Sequence, residues 1–228
     1  NIKKIFPSLV KLSTDLKHNK TTLIKAESIP NDDEDKLKCQ ELKKLLDTHG
    51  SDKSNRHNYH YVYAPILKKN FEEKKILEIG MGTNYIDTLS HMGIDGKPGA
   101  SLKAFRDFCP YANIYGADVD KRILFDEERI NTYYVDQTDV ESLNELSKKI
   151  PSDLDLVIDD GLHSPCANIN TLFFGIKKIK IGGWVVIEDI QLSSKDIWLI
   201  ISNLIPSNFK TYLIVCNRSL LFALKKIS

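Results

Sequence analysis

Lys75-Ile76-Leu77-Glu78-Ile79-Gly80-Met81-Gly82 decides the fold. Its first five residues form a short β run, and the two glycines behind it let the backbone turn tightly and approach a ligand. Four comparable runs follow. Asn113–Ala117 ends in Asp118, Thr132–Val135 in Asp136, Leu154–Ile158 in Asp159-Asp160, and Trp184–Ile187 in Glu188-Asp189. Each run is short and apolar, with helical patterns between, which predicts an α/β fold: a parallel sheet with helices on both faces. Two final runs, Thr211–Cys216 and Leu220–Leu224, are separated only by Asn217-Arg218-Ser219. So short a link allows an antiparallel hairpin and no parallel crossover. Ligands of open α/β sheets bind beyond the carboxyl ends of the strands. Five acidic or glycine-rich strand ends therefore describe one site.

Composition narrows the class of function. The 228 residues carry 32 Lys+Arg against 31 Asp+Glu, and 42% are hydrophobic. That is core enough for a folded chain, and the balanced charge argues against nucleic acid as a partner. No apolar run approaches the roughly 20 residues of a membrane span. Cys39, Cys109, Cys166 and Cys216 are far apart with no CxxC spacing, so neither a zinc site nor a disulfide framework is expected, and a cytoplasmic setting fits. Asn1 in place of Met is what a processed or excised piece would show. Ile2–Val10, broken by lysines and Pro7, has no cleavable-signal pattern.

Residues 1–47 read as a helical extension, with a short helix over Ile2–Lys17 and an amphipathic one over Lys36–Leu46. The single larger domain is expected over 48–228, with the extension docked on it or exchanged in a homo-oligomer.

The glycine loop also narrows the ligand. A dinucleotide fingerprint would carry a third glycine where Tyr85 stands, and an acid about 20 residues on, whereas Asp118 lies roughly twice as far away. NAD is disfavoured. Glu78, two residues before Gly80, can meet the ammonium of an amino acid, directly or through water. Asp118 is placed for ribose hydroxyls, and Asp136-Gln137 for an adenine amino group. An adenosine bearing an amino acid is S-adenosylmethionine (SAM). The reading expects a helix directly after Gly82, with His91–Gly99 as a lid-like loop behind it.

These residues resemble the Rossmann-like class I SAM-dependent methyltransferases, in which an antiparallel strand is inserted beside the last parallel one. More narrowly, three stretches resemble the macrocin and mycinamicin type of sugar O-methyltransferase. They are His49-Gly50-Ser51-Asp52-Lys53 with His57 and Tyr59; Gly99–Arg106 leading to Asp118; and Asp159-Asp160-Gly161-Leu162-His163-Ser164. The resemblance covers about residues 48–226. It implies a small-molecule or sugar acceptor, and it places the 52–63 segment, with Tyr59 and Tyr63, over cofactor and acceptor.

Asp160 and Asp189 follow strands that neighbour each other in that fold, about 4.8 Å apart. Two carboxylates so placed can share a hard cation such as Mg²⁺. His163, three residues past Asp160, is the candidate base for a hydroxyl, because imidazole titrates near neutrality unperturbed. The resemblance implies the same roles for Asp160, His163 and Asp189. Asp159 is placed with the cofactor residues and Glu188 with the metal ligands, each open to exchange with its neighbour as ligand or brace. A catechol-type acceptor, or a SAM-binding module without catalysis, are the alternatives to sugar O-methylation.

Overall fold

The computed structural model describes residues 2–15, 21–69 and 71–228. In chain order the elements are α1 (Ile2–Asp15), β1 (Thr22–Lys25), α2 (Asp33–His49), α3 (His60–Leu67), β2 (Lys75–Ile79), α4 (Ala100–Phe108), β3 (Asn113–Asp118) and β4 (Ile130–Tyr134). There follow α5 (Val140–Lys149), β5 (Leu154–Asp159), α6 (Pro165–Lys178), β6 (Ile179–Ile190), α7 (Lys195–Leu204), β7 (Phe209–Val215) and β8 (Leu220–Lys226). The strands form one sheet in the order β1-β7-β8-β6-β5-β2-β3-β4. Only β8 runs antiparallel to its neighbours. The hairpin read from Asn217-Arg218-Ser219 is the β7–β8 pair.

Side-chain alternation along the strands divides the core. Ile76, Ile158 and Val186 pack on one face with Leu42, Tyr63 and Phe105 of α2, α3 and α4. Leu77, Val157, Val185 and Ile187 pack on the other, against Leu143, Leu172 and Trp198 of α5, α6 and α7. Strands buried on both faces have to be apolar throughout, which is why these runs are continuous rather than alternating.

Three expectations change. Residues 1–47 are not purely helical, since β1 extends the sheet by pairing with β7. Nor does a boundary at 47 divide the core, because Ala26, Cys39, Leu42 and Leu46 share one cluster with Phe105 and Ile158. The helix expected directly after Gly82 is absent. Residues 80–99 run as loop and turns until α4 begins, and the His91–Gly99 loop lies between β2 and α4. The expected helix over Ile2–Lys17 is α1, with Leu16 and Lys17 outside the described residues.

The strand order reverses between β2 and β5. The chain leaves β2 toward β3 and β4, then returns to β5 on β2's other side. At this switch point the carboxyl ends of β2, β3, β5 and β6 converge, and Ile79, Asp159 and Ile187 stand in register across them.

Candidate functional site

A cavity of about 280 Å³ opens at the switch point. Gly80, Gly82, Asp118, Asp136, Gln137 and Asp160 supply its polar lining, and Val119, Val135 and Leu162 an apolar part suited to a planar ring. Gly80 (φ +91°) is required because a Cβ there would fall on the backbone carbonyl of Asp160. Gly82 (φ +76°) turns its open side to Met92, so a branched residue is opposed by the left-handed backbone and by Met92.

Asp118 reaches the cavity but is shared with the loop. Its Oδ2 accepts from the Met81 amide at 2.7 Å and its Oδ1 from the Asp120 amide at 2.9 Å. Burial pushes its carboxyl upward, and those amides pull it back. Asp136 Oδ1 holds Thr138. The Gln137 amide is spent: Nε2 donates to Asp159 and Thr171, and Oε1 accepts from the Leu162 amide. Gln137 therefore walls the cavity with its amide engaged at both ends.

Beneath this floor lies a buried ammonium. Lys53, 2% exposed, sits 2.5 Å from Asp160 Oδ2, 2.6 Å from Glu188 Oε2 and 3.1 Å from Glu78 Oε1. Ser101 donates to Glu78 at 2.6 Å, and the Tyr63 hydroxyl donates to Glu188. Burial opposes the Lys53 charge, but the three carboxylates outweigh it and hold the group cationic. One ammonium cannot balance three carboxylates, and burial with the surplus negative charge pushes Glu188 well up.

A second cavity, about 250 Å³, shares Gly82, Ser90 and Asp160 with the first. His57, His163 and Asp189 lie along it. Ligand atoms of Asp160, His163 and Asp189 all fall within 4.8 Å of one another. Each acid has one anchored oxygen. Asp160 Oδ2 is held by Lys53, while Asp189 Oδ1 accepts from the Tyr59 hydroxyl at 2.5 Å and from Ser219 at 3.1 Å. The other oxygens, Asp160 Oδ1 and Asp189 Oδ2, stand 3.9 and 3.8 Å from His163 Nε2. Burial works against ionising Asp189, but hydrogen bonds from His57 and Tyr59 overcome it and hold the carboxyl well below its usual range. His57 Nδ1 lies 3.2 Å from Asp189, and despite burial that carboxylate and Asp52 raise the imidazole to about 9. His163 (φ +55°) and Asp189 (φ +53°) both hold the left-handed backbone that non-glycine residues rarely adopt. Strain of this kind concentrates at functional sites.

The structure thus gathers Gly80, Gly82, Asp118, Asp136 and Gln137 around one cavity, and Asp160, His163 and Asp189 along the next. Five further expected site residues lie outside both cavities. Glu78 is fully buried, its carboxylate held by Ser101 and Lys53. Asp159 is fully buried and accepts from Gln137 and Asn168. Glu188 is buried on Lys53 and Tyr63, outside the Asp160–His163–Asp189 cluster. Tyr59 and Tyr63 brace acids from below and line neither cavity.

Strand parity carries the signal for these positions. Glu78 alternates with Leu77 and Ile79, and Glu188 follows Ile187, so both acids point to the α2–α4 face, where Lys53 and Tyr63 lie. Asp159 follows Ile158 and takes the other face, against α6. Lys53 and His57 stood in a quoted motif without a role. Ser101 and Ser219 carry no sequence signal of their contacts.

The sheet, with one antiparallel strand inserted next to the last parallel one and cavities at the switch point, is the class I methyltransferase fold. Solved structures of the methyltransferase MycE from the mycinamycin biosynthetic pathway share it. The complex with Mg, SAH and mycinamycin VI covers 82% of this chain and 53% of that one, at TM-score 0.66 and 23% identity. A crystal form with Mg and SAH covers 82% and 55%, at TM-score 0.63 and 23% identity.

In sequence the chain is similar to sugar O-methyltransferases. The 8-demethyl-8-alpha-L-rhamnosyl tetracenomycin-C 2'-O-methyltransferase of Streptomyces olivaceus is 31% identical over 147 residues, 64% of this chain and 36% of that protein. The mycinamicin VI 2''-O-methyltransferase of Micromonospora griseorubida is 34% identical over 119 residues, 52% of this chain and 27% of that protein. The chain spans about a third of the length of these curated relatives. No family model matches it.

Proposed function

We propose that the chain is a SAM-dependent O-methyltransferase acting on a sugar hydroxyl. One observation carries the reading: the glycine-loop cavity and the cavity bearing Asp160, His163 and Asp189 share Asp160, Gly82 and Ser90, so donor and acceptor can meet there. The S. olivaceus and M. griseorubida relatives, named for O-methylation of glycosylated compounds, support the acceptor class.

The donor set fits a hard divalent cation, since two carboxylate oxygens turned away from their anchors face one imidazole within a half-buried cluster. Asp160 and Asp189 would hold Mg²⁺, which polarises an acceptor oxygen and so eases loss of its proton. His163 takes that proton on Nε2 as the hydroxyl oxygen bonds to the methyl carbon and the carbon–sulfur bond breaks. Lys53 and Tyr59 keep the two acids in place, and Val119, Val135 and Leu162 offer the donor's ring an apolar surface. Four free thiols, three of them buried, suit a reducing cytoplasm. Among the described residues no helix is long and apolar enough to cross a membrane.

The test is a methylation screen with SAM and Mg²⁺ against nucleotide sugars, glycosides and catechols, read by mass spectrometry beside SAH calorimetry. A methylated sugar product supports the reading, and methyl transfer to catechols alone replaces the acceptor. Absence of SAH binding removes the enzyme assignment.

A further inference from the structure

The segment 83–90 walls the donor cavity through Thr83, Thr88, Leu89 and Ser90. It is tied down by one residue from the turn after β3. Arg122 Nε and Nη2 donate to Asp120 Oδ1 and Oδ2 at 2.7 and 2.8 Å. The same guanidinium donates through Nη1 and Nη2 to Asp87 Oδ2 and Oδ1 at 3.1 and 2.8 Å, and reaches Thr88 Oγ1 at 3.0 Å. It lies 3.9 Å over the Tyr85 ring. Asp120 Oδ2 also accepts from Thr83 at 2.6 Å and Thr88 at 3.3 Å. Two residues upstream, Asp118 and Val119 line the cavity from β3's end.

The two grips differ in kind. The Asp120 side chain is 4% exposed, whereas Asp87 is 69% exposed and Arg122 43%. A planar guanidinium holding two carboxylates in bidentate fashion fixes their orientation as well as their separation. The inner grip is therefore a fixed anchor, and the outer one can let go into water. Ile86 and Leu89, largely exposed, do not lock the segment by burial. On the far side Ser90 Oγ donates to the Leu162 carbonyl at 3.3 Å, which closes the segment over the cavity between Arg122 and the loop after β5.

We propose that Arg122 is a positioning residue for the donor: it clasps residues 83–90 to the end of β3 beside the cavity, and release of its Asp87 grip opens the path by which the donor product leaves. The inference rests on the donor-cavity reading above.

The probe is SAH, with dissociation followed by stopped flow and Mn²⁺ affinity as the control. Asp87→Asn, at an exposed position that leaves the fold alone, is expected to speed SAH release on the order of fivefold. Arg122→Gln, which also loses the ring contact, is expected to speed it on the order of tenfold or more. Neither changes Mn²⁺ affinity. Release from the unaltered chain quickens as NaCl rises, because an exposed ion pair is screened, and the Asp87→Asn variant loses most of that response. Release within about twofold of the parent in both variants, or salt-independent release from the parent, overturns the clasp. Failure of the unaltered chain to bind SAH overturns the donor reading itself, and the clasp with it.

Discussion

Asp160 and Asp189 divide their carboxylates alike: one oxygen on a donor from the 53–59 segment, the other turned to His163. Their reach is set by Lys53 and Tyr59, not by the strand ends that carry them. An acid on a strand-end loop with both oxygens in solvent would sample many rotamers, and each of these samples few. The arrangement is prepared before any ligand arrives, which is how a site avoids reorganisation at the moment of reaction.

Asp189→Asn keeps the shape and halves the charge facing His163. Methyl transfer should fall on the order of 100-fold, while SAH affinity is unchanged because Asp189 lies outside the donor cavity. EDTA should reproduce the loss and Mg²⁺ reverse it. Steady-state rates with and without chelator, beside SAH calorimetry, check this, and full activity in EDTA would take the cation out of the reaction.

His163→Ala removes the base while leaving both acids on their anchors. Turnover should drop about 10²–10⁴-fold, with Mn²⁺ and SAH still bound. A variant within a few-fold of the parent on its true acceptor would hand the proton to another group.

Lys53→Met strips the ammonium from two buried carboxylates, Glu78 and Glu188, and from the half-buried Asp160. Leaving such charges unpaired costs about 3–5 kcal/mol. Adding Glu188→Gln should recover part of that loss, since it removes one of the stranded acids. Urea unfolding of the single and double variants measures both effects. Equal stability of Lys53→Met and parent would show that the cluster is not held by charge.

His60 gives a pH signature away from the acids. Burial, helped by the charge of Lys43, holds its pKa down at about 4 against an ordinary value of 6.5. The folded chain therefore binds this proton less readily than the unfolded one. Its contribution to stability is whole above about 6.5 and is lost as pH falls from there through about 4. Between pH 7 and 4.5 the parent should lose more unfolding free energy than His60→Phe, and equal losses would refute the assignment.

Much of this was legible in the residues. The apolar strands, the three-residue hairpin link and the acidic strand ends follow from local chemistry, and they locate the site at the carboxyl ends of the central strands. β1 was not legible. Thr22–Lys25 is a mostly exposed edge strand without apolar alternation, and its partner Tyr212 lies far along the chain. The missing helix after Gly82 has a similar cause, because Thr83, Asp87 and Thr88 spend their side chains on Asp120 and Arg122 rather than on a helical turn. At Glu78, Asp159 and Glu188 the residue type suggested a ligand, while strand parity, available in the same sequence, turned Glu78 and Glu188 into one face of the sheet and Asp159 into the other.

The anchoring of Asp160 by Lys53 and of Asp189 by Tyr59 also bears on how the molecule folds. These contacts join residues 107 and 130 positions apart in the chain. Loop-closure entropy makes such distant pairings late events, after the local helix and strand contacts that shorten the effective loop. The reactive cluster is then among the last parts to assemble and the first to loosen. Partly unfolded chains should keep most of their helix signal after losing every trace of catalysis.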